Sequence, residues 1–352
     1  MDASTIAIVA IIKIALVVFV MLTVVAYLVL AERKVSAFIQ NRNGPNRVGP
    51  WGLLQPIPDI VKLFMKEDIV PVAANKFVHT LAPLISLGVA MSTFAVVPFG
   101  DTITIMIDGT AHTYKLLIAD VNVGILYILA LTSLGVYGIT LSGWSSNNKY
   151  SLLGGLRASA QMISYELSMG LSIIGVVLVA GSLRLDQIVL NQGGYFLGFI
   201  PKWNILLQPI GFITFVVASF AETNRLPFDL PEAEPELVAG YHTEYSGMKF
   251  GVFFLAEYAN MITSSAVITT LYLGGWQAPF SEYLGLSPLM LTLVQVGTFC
   301  GKVALVLLFY IVVRWTIPRF RYDQLMNLGW KVMLPLALLN IIVTGFVILL
   351  NP

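Results

Sequence analysis

Charge is scarce in this chain. Of its 352 residues only 11% are Asp, Glu, Lys or Arg, while 57% are hydrophobic and the mean hydropathy is +0.83. Soluble domains carry about 25% charged residues, so a water-soluble fold is excluded. Cysteine is almost absent. The one residue, Cys300, rules out an intramolecular disulfide, a CxxC pair and an iron–sulfur cluster held by this chain alone. Lying within an apolar run, it is expected to be a small buried residue. Histidine is nearly as rare, and His79, His112 and His242 are too scattered to suggest a metal or haem site. GxGxxG and P-loop motifs are missing, so common nucleotide cofactors have no cradle here. There is no internal repeat, low-complexity tract or domain-sized soluble stretch. The net charge of +1 is near neutral, and no nucleic-acid partner is expected.

What is present is a series of long apolar runs. Eight can cross about 30 Å of hydrocarbon as helices: 6–30, 77–99, 121–144, 158–181, 204–222, 250–274, 289–313 and 330–350. They are continuous rather than alternating, which predicts an all-α polytopic transmembrane bundle and not a barrel. The first run has no basic residues before it and is too long for a signal core, so it reads as a retained span. The whole of 1–352 reads as one integral membrane domain. With eight spans, the loops 31–76, 145–157, 223–249 and 314–329 share one side and hold 14 of the 20 lysines and arginines. The positive-inside bias makes that side inner and puts both termini outside. A bacterial cell membrane is expected, an organellar inner membrane less so.

The densest polar feature is 222–247, ETNRLPFDLPEAEPELVAGYHTEYSG, between two spans. It carries six carboxylates (Glu222, Asp229, Glu232, Glu234, Glu236 and Glu244), faced only by Arg225 and His242. Pro227, Pro231 and Pro235, spaced four apart, prevent its first half from being one regular helix. Glu232, Glu234 and Glu236 project to one side if the backbone is extended; in a helix 232 and 236 share a face. Carboxylates crowded on one face cannot all ionise cheaply, which suits a proton relay. A hydrated acidic loop would have the same composition. Glu166 and Glu257 lie within spans, roughly 10–12 Å from the inner ends, and Glu222 closes a third span on the same side. Charges at that depth usually pair, face water or stay protonated, and they mark functional sites. Hydrogen-bonded helix–helix contacts are the plainer reading. Lys302, in mid-span, is a candidate counter-ion.

The inner loop 31–76 opens with Glu32, Arg33 and Lys34, turns through NRNGPNRVGP, and continues as WGLLQPIPDIVKLFMKED. There Gln55, Asp59, Lys62 and Lys66 form one polar stripe at steps of four, three and four, with Pro58 in the first turn. Such a helix is expected to lie in the membrane plane, either lining the mouth of a site for an amphiphile or as a structural surface helix.

Three stretches, AERKVSAFIQNRNGPNRVGPWGLLQPIPDIVKLFMKED, SGWSSNNKYSLLGGLRASAQMISYE and AETNRLPFDLPEAEPELVAGYHTEYSG, strongly resemble the membrane H-subunit family of proton-translocating NADH:quinone oxidoreductase, respiratory complex I. The resemblance covers essentially the whole chain. It implies a subunit that joins the peripheral redox arm to neighbouring membrane subunits and forms much of the quinone-access chamber. Quinone is then the substrate, with flavin and iron–sulfur clusters held in partner subunits. It assigns Arg33, Asp59, Trp51 and Lys62 to the chamber mouth, with Arg225 and Phe228 as further quinone-binding candidates. Glu166, Glu222 and Glu257 match the family's membrane carboxylates, and Asp229, Glu232, Glu234, Glu236 and Glu244 match its acidic inner loop. One departure stands out: some relatives carry an acid in the third span, and 121–144 has none. The alternatives are a related subunit of a ferredoxin-fed or hydrogenase-type complex, a stand-alone cation or proton transporter, and a purely structural anchor. Matching broken-helix halves would favour the transporter, and the sequence has none.

Overall fold

The computed structural model describes residues 3–107, 110–196, 198–230, 234–281, 285 and 287–350; side chains at 3–7, 105–107, 110–112 and 234–235 are not described. Helices in chain order are α1 (Ala3–Ile39), α2 (Pro56–Met65), α3 (Lys76–Thr93), α4 (Gly124–Ser145), α5 (Lys149–Ala180), α6 (Leu185–Asn191), α7 (Asn204–Leu207), α8 (Pro209–Glu222), α9 (Glu234–Leu237), α10 (Gly247–Tyr272), α11 (Pro288–Thr316), α12 (Tyr322–Asn327) and α13 (Leu334–Leu350). Six of the apolar runs became α1, α3, α4, α5, α10 and α11. A seventh is α12 and α13 joined through a π-helical segment, Leu328–Met333, into one helix over Tyr322–Leu350. Among the described residues seven helices are long and apolar enough to span a membrane, which makes this a multi-pass helical membrane protein.

Side chains set the helix ends. Asn75 and Asn148 accept hydrogen bonds from the backbone N–H of Val78 and Tyr150, capping α3 and α5. Gly181, at φ 64°, closes α5 in the left-handed conformation. The centre of the bundle is α10, packed on α3, α11, α1 and α8, with α5 between α4, α8 and α13. Close approach depends on small residues: a Cβ on Gly154 of α5 would lie 2.7 Å from Gly240 Cα. That contact seats the acidic loop directly on α5.

The structure corrects the sequence reading in four places. The first helix does not stop near residue 30 but runs on to Ile39, so Glu32, Arg33 and Lys34 are helical. Its 37 residues extend about 55 Å, well beyond one hydrocarbon thickness. The fifth span is broken. Gln208 leaves helical geometry at φ −131°, and α8 has only 14 residues, about 21 Å. Third, an antiparallel hairpin, β1 (Thr102–Ile107) with β2 (Thr110–Lys115), occupies the connection from α3 to α4. Lastly, Cys300 is exposed on the outside of α11 rather than buried. The bundle thus has two ends: an acidic-loop end (Ile39, Ser145, Glu222, Gly247, Thr316) and a hairpin end opposite it.

Candidate functional site

At the acidic-loop end four helices converge on one buried guanidinium. Just after α8, Arg225 is 2% exposed and its Nε lies 2.7 Å from Glu257 Oε1 on α10. Its Nη1 reaches Glu32 Oε2 on α1 at 3.3 Å, and the guanidinium lies 4.1 Å from the Tyr258 ring centroid. The Tyr258 hydroxyl donates to Glu32 Oε2 at 2.6 Å, and Arg314 from α11 meets Glu32 Oε1 at 2.5 Å. Burial works against the Arg225 charge; Glu257, Tyr258 and Glu32 outweigh it and raise its pKa. Deep in the protein such charges persist only when mutually paired.

The turn that presents Arg225 is held by one side chain. Gln161 Nε2 donates to Ala221 O at 2.7 Å, Asn224 Oδ1 at 3.2 Å and Phe228 O at 2.8 Å. Phe228 is buried between the rings of Tyr165 and Phe320 and serves as the hydrophobic anchor of this turn. Next to it Asp229 pairs with Arg319 at 2.8 Å.

Two small cavities meet at Glu222. The first, about 40 Å³, is lined by Glu222, Glu257, Asn224, Tyr241 and Ser86, among others. At 10–15 Å³ per water it has room for roughly three. The second, also about 40 Å³, starts from Glu222 and continues between α3, α4, α5, α8 and α10 to Phe215, Ile173 and Val267. Thr132, Thr223 and Asn260 line both. Beside Thr132, Ser133 donates a short hydrogen bond to Glu166, which lies within electrostatic reach of Glu222. Glu257 and Glu222 therefore share water-sized space, and Glu166 stands beyond them behind the Ser133 hydroxyl.

The other candidates lie apart from this series. Glu236 pairs with Arg157 at 2.6 Å and Glu244 accepts from Asn148 Nδ2 at 2.6 Å, fastening the acidic loop to the start of α5. Glu232 lies outside the described residues, as does the side chain of Glu234, so their expected projection to one side falls there too; the backbone makes one helical turn at Glu234–Leu237. Within the loop, burial pushes the His242 imidazole down to about 4 and the Tyr245 phenol up to about 12. Between the end of α1 and α2, Arg33 pairs with Asp59 at 2.7 Å, Gln55 donates to Asp59 at 3.1 Å, and Lys34 Nζ donates to Trp51 O at 2.5 Å. Trp51 is 81% exposed, and Lys62 is exposed on α2.

Sequence reasoning missed Glu32, Tyr258, Arg314 and Arg319 as site residues. For Glu32 a signal existed. Met21, Val25, Leu28, Glu32 and Ser36 follow helical spacing on one buried stripe, once α1 is allowed to run past residue 30. Lys302 is no counter-ion to the membrane acids; Arg225 and Arg314 take that part, and Lys302 binds main-chain carbonyls.

Fold and site together define a polytopic membrane protein whose buried ionic chemistry is gathered at one end of a helical bundle. Residues 12–345 match the NADH dehydrogenase family. The chain is 53% identical to the NADH-quinone oxidoreductase H-subunit 1 of Cytophaga hutchinsonii, over 94% of this chain and 93% of that one. It is 52% identical to the H-subunit 2 of Koribacter versatilis over 97% and 98%. With NADH-quinone oxidoreductase subunit 8 of Rhodothermus marinus it shares 54% identity over 92% of each. The chain belongs to the NADH dehydrogenase family, among its H-subunit proteins.

Proposed function

We propose that this chain forms much of the quinone-access chamber of its complex and links quinone reduction to proton translocation through Glu257, Glu222 and Glu166. As an H-subunit protein it is a membrane component of proton-translocating NADH:quinone oxidoreductase. Electrons reach the quinone from flavin and iron–sulfur clusters in the peripheral partner subunits, and neighbouring membrane subunits continue the proton path. The exposed apolar flank of α2 (Ile57, Ile60, Val61, Phe64 and Met65) supports an in-plane helix at the chamber mouth. The positive-inside bias of the acidic-loop end supports an inner-facing chamber in a bacterial cell membrane, with both termini outside.

One observation carries the reading: Glu222 and Glu257 line the same water-sized cavity, and Glu257 is bound to the buried Arg225. Quinone reduction at the mouth draws protons from nearby groups. A change of charge there alters the balance around Arg225, hence the proton occupancy of Glu257 and, through the shared cavity, of Glu222. Carboxylates of matched affinity pass protons with little trapping. In the intact complex, Glu222→Gln should lower quinone-linked proton transport at least about tenfold. Normal protons per electron at a normal rate would sink this reading.

A further inference from the structure

Lys302 is the one intramembrane lysine of α11, and the acidic series makes no use of it. Its Nζ donates to Leu273 O at 2.7 Å, Gly275 O at 3.0 Å and Gln277 O at 2.8 Å, and lies 4.3 Å from the Trp203 ring. Three N–H bonds use every donor of an ammonium, so the geometry is that of the charged form. Among the described residues no carboxylate pairs with it.

The turn it holds, 273–277, is fixed from all sides. Gln192 Nε2 donates to Thr270 O at 2.9 Å, while its Oε1 accepts from the N–H of Gly274 at 3.0 Å and Asn204 at 3.2 Å. Asn204 Nδ2 donates to Leu271 O at 2.8 Å, and Gln277 Nε2 to Val189 O at 2.6 Å. Gly274, at φ 73°, leaves no space for a Cβ, which would lie 2.4 Å from Trp203 Nε1.

This turn lies one packed layer beyond the closed end of the cavity that rises from Glu222. The second cavity ends at Phe215, Ile173 and Val267; Phe215 meets the buried Tyr272, 5.6 Å between centroids, and the turn follows directly. Leu273 lies about 9 Å along α10 from Val267. We propose that Lys302 and the turn 273–277 are a proton seal at the hairpin end, a fixed ammonium that keeps hydrated protons on that side from reaching Glu222. A fixed cation in a narrow low-dielectric path repels protons and cations. One unit charge at about 10 Å and an effective dielectric of about 20 lowers proton occupancy on the order of tenfold. Removing it also leaves three carbonyls that attract cations.

The inference rests on the relay reading of Glu222, and the test separates the two. The intact complex is reconstituted in liposomes, the hairpin-end side is made acidic without NADH, and passive proton entry is followed with a pH-sensitive dye. Lys302→Met should raise that flow on the order of tenfold, with NADH–quinone turnover unchanged and Lys302→Arg tight. A Lys302→Met complex as tight as the unaltered one overturns the seal, whatever Glu222→Gln does. If Lys302→Met does not assemble, Lys302→Gln, which removes the charge but keeps a donor for the carbonyls, takes its place: a leak supports the seal and a tight membrane overturns it. Adding Glu222→Gln to the leaking variant should stop the leak. A leak that persists leaves the seal standing and removes Glu222 from the path.

Discussion

Two clusters, each of two cations and two carboxylates, stand at opposite ends of the bundle. At the acidic-loop end are Glu32, Glu257, Arg225 and Arg314; at the hairpin end Lys115 and Arg184 bind Asp120 and Asp186 at 2.8–3.0 Å. Distances are alike, but burial is not. Side-chain exposure is 2% for Arg225 and 7% for Glu32, against 43% for Lys115 and 42% for Asp120. Exposed partners exchange with water at little cost, so the hairpin-end cluster is a staple between the loop before α4 and the start of α6. Arg225 and Glu32, at the centre of the other cluster, have no such exchange and depend on Glu257, Tyr258 and the partly exposed Arg314. A change of charge on one must be answered by movement or proton transfer in the rest. Equal inventories of charge thus differ in what a change of charge costs, little at the hairpin end and much around Arg225.

The largest effect that tests this contrast is expected at Arg225. Arg225→Met leaves Glu32 and Glu257 without their shared cation, and breaking a buried pair from one side costs about 3–5 kcal/mol. The complex should assemble poorly, and whatever assembles should reduce quinone with its proton transport lost. Arg225→Lys keeps the charge but cannot bridge two carboxylates and a ring in one plane, so it should rescue assembly better than coupling. Blue-native electrophoresis with protons per electron on the assembled fraction checks both. Wild-type coupling in Arg225→Met would dissolve the distinction between the clusters.

The sequence was most informative where one physical signal dominates. Apolar runs give spans because the bilayer sets their length, and apart from the broken fifth run the predicted runs differ from the helices mainly at their polar ends. Those ends are where the sequence reading went astray. Glu32 looked like a loop residue because charge interrupts hydropathy, although the buried stripe through Val25 and Leu28 continues into it. The hairpin had a signal in its alternation around Asp108 and Gly109, masked by the expectation of a plain connection. The depth of Glu222 and Glu257 was legible, but their shared cavity depends on helix rotation, which depth does not fix. Arg314 and Arg319 served only to orient the chain, because nothing local ties α11 to α1 or to Asp229. Nor did spacing indicate that Lys302 binds carbonyls, since that rests on the fold of the turn after α10.

A smaller effect belongs to the loop that carries the acids. His242 stacks between Tyr241, 4.5 Å away, and Phe250, 5.4 Å away, and its Nδ1 lies 2.8 Å from Ala239 O. Burial holds it down to about 4, below the ordinary 6.5, so the folded loop favours the neutral ring. That contribution is complete above about pH 6.5 and is lost as pH falls through about 4. Protection against hydrogen exchange over 240–247, taken relative to the intrinsic rate at each pH, should fall on acidification, by at most about tenfold per pH unit for one proton. His242→Phe, which keeps the stack, should flatten the dependence. An unchanged slope in that variant would assign the acid sensitivity to the carboxylates of the loop.

The smallest effect is expected at the hairpin-end staple. Partial burial pushes the Asp186 carboxyl up, but hydrogen bonds from Arg184 and Lys115 outweigh it and hold it down to about 2. Stability from that depressed value is fully present above the ordinary 3.8 and is lost only as pH falls toward 2, so at neutral pH the staple is intact. Asp186→Asn removes it at pH 7, yet Lys115 keeps Asp120 at 2.8 Å and Lys13 still donates to Lys115 O at 2.8 Å. Water replaces what is lost, and the cost should stay within about 1 kcal/mol. Quinone reductase rate and protons per electron should both match the unaltered complex, with a thermal shift of a few degrees at most. If Asp186→Asn instead impaired coupling as severely as Arg225→Met, exposure would not be what separates the two clusters, and the hairpin end would have to be counted among the responsive parts of the molecule.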